Sequence, residues 1–319
     1  MPTGIGNNSF VGVGEEGTYG TTVARTRFLL QNSESIAVTE RHAEGASIYR
    51  RGRHANRHVQ GLVEVGGGIS FNPQYSSQAL MILLKHALGT LASAQPDTTA
   101  APTVYRHTFT PALALPTGLS VEVGKDVLAH LHSGCKVASI GFSLRPGEMA
   151  TCDVDVIGRE TTSIDDSGLV YTEGQLVVPT NTTVTWGATT LTCTEFNFRI
   201  ENPLERRNFI NSRYTSEPLR SGKMRVTGGF TIELSEAALY SDFRNLTERA
   251  LVLTATGATI AGGYAFELLA TMSVAKLTAG IASAGTEGVL TVPYSFEAFM
   301  NDANANEISL RLQNEASGV

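Results

Sequence analysis

Apolar and polar side chains alternate along most of this chain. Phe196, Phe198 and Ile200 are interleaved with Glu195, Asn197, Arg199 and Glu201. Ala138, Ile140, Phe142 and Leu144 follow the same rule, as do Leu290, Val292, Tyr294 and Phe296, and then Ile308, Leu310 and Leu312. Successive strand side chains point to opposite faces, so each pattern predicts an antiparallel strand with one face in a core and the other in water. Only two segments have helical spacing. Leu80, Leu83, Leu84, Ala87 and Leu88 share one helix face, with Ser76 or Ser77 placed to cap the start and Gly89 to end it. Ser235 is placed to cap the second helix, whose stripe is Leu239, Phe243 and Leu246. The prediction is a mainly β chain in which two amphipathic helices each cover a sheet face.

The helices also expose a repeat. Val65-Gly66-Gly67-Gly68-Ile69-Ser70-Phe71 precedes the first and Val226-Thr227-Gly228-Gly229-Phe230-Thr231-Ile232 the second, 161 positions later. Glycine inside a strand marks a bulge, a bend or a close backbone approach, so one local deformation is expected twice. Upstream, residues 28–32 align with 198–202, which makes the polar arm after the first nine residues longer than the arm after the second. Two tandem β-sandwich or barrel modules with one flanking helix each are therefore predicted. Residues 1–165 form the first, with an N-terminal arm and a long Arg-rich loop, and residues 166–319 form the second. The join falls near residues 160–180, where Gly168, Gly174, Pro179 and Asn181 cluster.

Composition agrees. With 319 residues, 42% hydrophobic and 17% charged, the chain can bury one large core or two ordinary ones and is no disordered tail. The net charge of −6 is uneven: residues 1–160 carry 13 basic and 13 acidic side chains, residues 161–319 carry 11 and 17. Such a surface does not grip nucleic acid generally, but it can present a mildly repulsive wall to it. Cys135, Cys152 and Cys193 form no CxxC and no even framework, as expected of reduced, buried thiols in a protein assembled in a cytosol. Polar residues follow Met1-Pro2-Thr3-Gly4 where a secretory signal would be apolar, and the longest apolar run, residues 79–84, is too short to cross a bilayer.

No catalytic constellation is expected. Gly12-Val13-Gly14-Glu15-Glu16-Gly17 matches GxGxxG, but no helix pattern opens at the third glycine to receive a pyrophosphate, so an N-terminal arm is the better reading and no cofactor is predicted. Asp153 and Asp155 share a strand face, as do His130 and His132, without the further ligands a metal needs. The informative cluster is basic. Arg41, Arg50, Arg51, Arg53 and Arg57 crowd the first arm with His42, His54 and His58, and Arg206, Arg207, Arg213, Arg220 and Lys223 lie in the second. Nucleic-acid binding and a solvated loop are alternatives. Docking of guanidinium groups on acidic surfaces of a neighbouring subunit fits better, because only Tyr49 and Tyr214 are at hand to stack on bases.

At this point the chain resembles the phage tail tube proteins over most of its length. The resemblance rests on Gly14-Glu15-Glu16-Gly17-Thr18-Tyr19-Gly20-Thr21, on the Gly-rich strand leading to a helix that ends at Leu88-Gly89, and on Gly134-Cys135-Lys136-Val137 opening a long hairpin. Val226-Thr227-Gly228-Gly229-Phe230 before the Leu239-Tyr240 helix completes it. The resemblance implies a non-enzymatic virion protein that is assembled in the host cytoplasm and located in the phage tail. Sheets of neighbouring subunits join around a lumen, and rings stack into a tube that conducts the DNA genome. The duplication implies a trimeric ring of pseudo-sixfold shape, with a hexamer as alternative. It further implies that Arg50, Arg51, Arg53, Arg57, Arg206, Arg207, Arg213 and Arg220 make inter-ring contacts, and that Asp153 and Asp155 are candidates for the bore. The implied partners are further copies of the chain, tail terminator and baseplate or tip proteins, and tape measure protein or DNA in the lumen. Competing expectations are a baseplate-hub or capsid-decorating protein, a carbohydrate-binding β-sandwich, disfavoured by the single tryptophan Trp186, and an enzyme.

Overall fold

The alternating segments are strands in the computed structural model, which describes residues 5–44, 58–165, 168–171, 173–234, 237–280, 289–301, 303 and 306–318. A first series runs β1 (Ser9–Glu15), β2 (Arg27–Leu29), β3 (Ser33–Glu34), β4 (Ala37–Glu44), β5 (His58–Phe71), helix α1 (Gln78–Leu88), β6 (Gly89–Ala94), β7 (Tyr105–Pro111), β8 (Leu119–Lys125), β9 (Ala129–Leu144), β10 (Thr151–Gly158) and β11 (Glu160–Ile164). A second runs β12 (Thr182–Trp186), β13 (Thr189–Leu191), β14 (Cys193–Glu201), β15 (Leu204–Arg207), β16 (Ser216–Arg220), β17 (Arg225–Glu233), helix α2 (Ala237–Asn245), β18 (Arg249–Ala261), β19 (Tyr264–Gly280), β20 (Thr291–Ala298) and β21 (Ser309–Asn314). The chain is mainly β, and the ladders between these strands are antiparallel.

Both series pair in the same order. β3 and β4 lie beside β5, followed by β10, β9, β8, β1 and β2. β14 lies beside β17, followed by β20, β19, β18, β12 and β13. β11 flanks the first half of β9 as β21 flanks β19. Registers match too: Val38 faces Val65 as Ile200 faces Val226. β9 is bulged at Ser133 and Gly134 against β8 and at Ala138 against β10, and β19 at Ser273 and Val274 against β18 and at Thr278 against β20. A bulge bends its strand and adds twist, so β9 and β19 curve alike.

The repeated glycines allow a close backbone approach. A Cβ on Gly67 would lie 2.3 Å from the Ser35 carbonyl oxygen, and one on Gly228 2.3 Å from that of Asn197. Ser35 is thus the counterpart of Asn197. This corrects the alignment of residues 28–32 with 198–202: Phe28 belongs to β2 and pairs with Gly12. With Ser35 against Asn197 the two arms come out nearly equal in length.

The series meet at β9, whose second half has β10 on one side and β14 on the other, and again where β21 pairs with β7. The result is one sheet in the order β3/β4, β5, β10, β9, β14, β17, β20, β19. A cross-strand row on its core side reads Ile69, Val154, Ile140, Ile200, Val226, Ala298 and Ala275, every one buried. Across the β9–β14 joint Phe142 stacks on Phe198 with ring centroids 5.2 Å apart, and within the second series Phe196 of β14 stacks on Phe296 of β20 at 6.1 Å. Burying one such ring stabilises by roughly 1.5–3 kcal/mol.

In α1, Ser77 Oγ accepts from the Leu80 N–H at 3.2 Å, and Gly89 at φ 117° ends the helix. The expected one-sided burial is exceeded, because α1 packs on β9, β1 and β2 and also on β6 and β7. In α2, Leu239 is buried and Phe243 partly so, while Leu246 takes φ 51° and is exposed; Ser235 lies outside the described residues. Leu290 and Ile308 fall just outside β20 and β21.

The N-terminal arm expected at residues 12–17 is also corrected. Residues 9–15 are β1, seated between β2 and β8. Both its faces are covered, so Phe10-Val11-Gly12-Val13-Gly14 shows no alternation. β8 is buried on both faces as well: its inward polar groups are met by Glu16, which accepts from Ser120 Oγ at 2.9 Å, and by Arg25, which pairs with Glu122.

Candidate assembly interface

The second arm leaves β14 at Glu201, forms the β15–β16 hairpin and returns through β17. It lies across the first series. At its root the buried Asn202 donates Nδ2–H to the Ala87 carbonyl at 2.7 Å, at the end of α1, and its Oδ1 accepts from Arg220 Nη2 at 2.8 Å. Arg220 Nη1 donates to the Ala112 carbonyl at 3.0 Å, and Arg206 Nη2 to that of Val65 at 2.6 Å. Arg207 holds the hairpin itself, donating Nε–H and Nη2–H to the Glu217 carbonyl at 3.1 and 2.9 Å. Arg213 reaches Gln60 Oε1 at 2.8 Å and Glu40 Oε1 at 3.3 Å. Lys136, almost wholly buried, meets Glu217 Oε1 at 2.5 Å. Hydrogen bonds from charged donors stabilise by about 1.5–3 kcal/mol each. Burial pushes the Arg220 pKa down.

All four described arginines of this arm therefore have partners within the chain, mostly main-chain carbonyls. Their docking on a further subunit is a proposal. Arg50, Arg51, Arg53, Arg57, His54 and Tyr49 lie outside the described residues. Arg41, at the root of the first arm, pairs with Glu64 at 3.1 Å. An open cavity of about 1340 Å³ lies beside the joint, lined by Ala112, Ala138, Asn202, Arg220, Lys223 and Glu297 among others.

The face of the sheet opposite the core is polar. Its counterpart row reads Ser33, Ser70, Asp153, Gly141, Arg199, Thr227, Glu297 and Lys276, running unbroken from β3 to β19. Asp153 is exposed on it. Asp155, on the next row, accepts from Ser139 Oγ at 2.9 Å and pairs with Arg199 across the joint. Sequence reasoning found both carboxylates, yet not Arg199, which sits in the same alternation and carries the opposite charge.

The other motifs have structural partners. The Glu16 carboxylate of the GxGxxG stretch accepts from the N–H groups of Gly20 at 2.7 Å and Gly134 at 2.9 Å, pinning the loop after β1 onto β9. Glu15 accepts from buried His86 at 3.0 Å and pairs with Lys85 at 2.8 Å. The hydrogen bond from His86 leads in holding the Glu15 pKa down at about 2, while burial pushes His86 down. His132, lowered to about 4 by burial, bonds Thr161 Oγ1 at 2.8 Å beside His130. Among the described residues no three His, Cys, Asp or Glu side chains are grouped to hold a metal ion, and no helix is long and apolar enough to cross a membrane. Cys135, Cys152 and Cys193 are unpaired thiols, raised in pKa by burial.

A family model described as phage tail tube protein matches residues 6–298. No curated protein matches the chain.

Proposed function

The chain belongs to the phage tail tube protein family, and from that membership we propose that its copies form rings that stack into the tube through which the DNA genome passes. Membership makes it a structural protein of the virion tail. The observation that supports ring formation is the sheet running from β4 to β19. It has one buried face and one polar face, and among the described residues the outer sides of β4 and of the end of β19 carry no strand partner. Open edges invite pairing with another chain, and a closed ring removes them.

The matched pairing orders and bulges support two tandem modules, residues 1–165 and 166–319. A ring would then hold a trimer of pseudo-sixfold shape, a hexamer being the alternative. In this reading the polar face with Asp153 and Asp155 lines the bore. There its carboxylates repel phosphate and keep DNA or the tape measure protein from sticking, while Arg199 moderates the charge. Arg50, Arg51, Arg53 and Arg57 reach the next ring, and the second arm, with Arg206, Arg207, Arg213 and Arg220, reaches it only with groups its own chain leaves over. Tail terminator and baseplate proteins cap the ends.

Negative-stain microscopy of the purified protein tests this. Tubes of uniform bore are expected at high protein concentration. Isolated rings or monomers under the same conditions would move the assignment to a baseplate-hub or capsid-decorating protein.

A further inference from the structure

The chain contains one completed module joint and the two halves of a second. At the completed joint β14 adds antiparallel to β9, with Ile200 opposite Ile140 and Glu201 opposite Ser139, and the Asn202 N–H donates to the Ala138 carbonyl at 2.7 Å. The matched registers give each of these positions a counterpart. Ile200, Glu201 and Asn202 correspond to Val38, Thr39 and Glu40 on β4, and Ala138, Ser139 and Ile140 to Thr278, Ala279 and Gly280 on β19.

Several counterparts are bare where the originals are covered, although Gly280 is buried like Ile140 and Glu201 is exposed like Thr39. Ile200 is 0% exposed and Val38 43%. Ser139 is buried, whereas Thr278 and Ala279 are exposed. Lys136, under the second arm, keeps 4% of its side chain exposed, and its counterpart Lys276 keeps 33%. Within one chain β4 and the end of β19 are the two outer edges of the same sheet, with six strands between them.

Taking the ring reading as given, we infer that β4 of one copy adds to the end of β19 of the next in the register of the β9–β14 joint. Gly280 then lies opposite Val38, Ala279 opposite Thr39 and Thr278 opposite Glu40. The occupant of each bare edge is a second copy of this chain, because the matching edge is the one its own sequence already supplies at the inner joint. Each added copy leaves the same two edges free until the ring closes.

Disulfide trapping tests the register. The main-chain bond between Asn202 and Ala138 makes that a hydrogen-bonded pair, so the next pair, Glu201 with Ser139, is the close, non-bonded kind. Such a pair has Cα atoms about 4.5 Å apart, within reach of a disulfide. Its counterpart is Thr39 with Ala279. All variants carry Cys193→Ser, since that thiol is only partly buried. Under mild oxidation the double variant Thr39→Cys/Ala279→Cys should give a ladder of reducible oligomers on a non-reducing gel. Either single variant should stay largely monomeric. Ala37→Cys/Ala279→Cys, two residues out of register on the same face, should cross-link about ten-fold less. Glu201→Cys/Ser139→Cys, closing within one chain, checks that the oxidation works.

If rings or tubes are seen by microscopy while the in-register pair links no better than the shifted one, the register is wrong and the tube reading stands. If no variant assembles although the internal pair closes, the inference falls together with that reading.

Discussion

The two helices occupy equivalent places in the chain but have different surroundings. In α1 nine residues, from Ala79 to Leu88, are buried, including His86. In α2 Leu239 and Asp242 are buried, Tyr240 is 49% exposed, and Leu246 just beyond the helix is 57% exposed. Their sequences differ as well: α1 is built almost wholly of strong helix formers, whereas α2 carries Tyr240, Ser241, Asp242, Phe243 and Asn245. The first helix is covered by β6 and β7, and its end receives Asn202 from the second arm. The main packing partner of the second helix is β19 of its own series. In the two-module reading, the cover that the second helix lacks among the described residues is proposed to come from a neighbouring copy.

The largest expected effect contrasts the helices directly. Leu83→Ala should cost about 2–5 kcal/mol in chemical denaturation, as core truncations do, and Leu246→Ala less than about 0.5 kcal/mol. Equal costs would show that α2 is as enclosed as α1 and would end the contrast. A middle-sized effect should follow from Asn202→Ala. It removes the amide from the Ala87 carbonyl and from Arg220, leaving buried groups unsatisfied, for about 1–3 kcal/mol. A loss near zero would mean that the second arm does not brace α1.

The smallest effect is set by pH. Glu15 has its folded pKa lowered from 4.5 to about 2, first by the His86 hydrogen bond, with Lys85 assisting. A lowered carboxylate stabilises the fold above its unfolded pKa, and that contribution drains away as pH falls from about 4.5 towards about 2. Partial exposure reduces it to about 1–2 kcal/mol. Glu15→Gln should lose stability at neutral pH and flatten the acid limb of the stability curve by that amount. An unchanged acid limb would remove Glu15 from the account.

Much of this fold was legible in the sequence, and what was not has physical reasons. Alternation at 138–144 and 196–201 marked strands with one apolar face, and the paired glycines marked two strands with the same close backbone approach. Alternation says which face is buried, not which strand lies alongside, so the β9–β14 joint could not be read. β1 escaped because both its faces are covered and two of its seven residues are glycines without a side chain to show the pattern. The upstream alignment failed by trusting the identity of Asn32 and Asn202, where the glycine contacts place Ser35 opposite Asn197's position. The arginines of the second arm were found from charge. Their acceptors were not, since every residue has a carbonyl and only the fold brings those of Val65 and Ala112 within reach.

In the proposed ring one chain supplies two equivalent modules. Rotational averaging of end-on ring images, together with the mass of the intact ring, measures this directly. The expected result is the mass of a trimer under a six-lobed outline. A six-lobed ring with the mass of a hexamer, each lobe a whole chain, would contradict it.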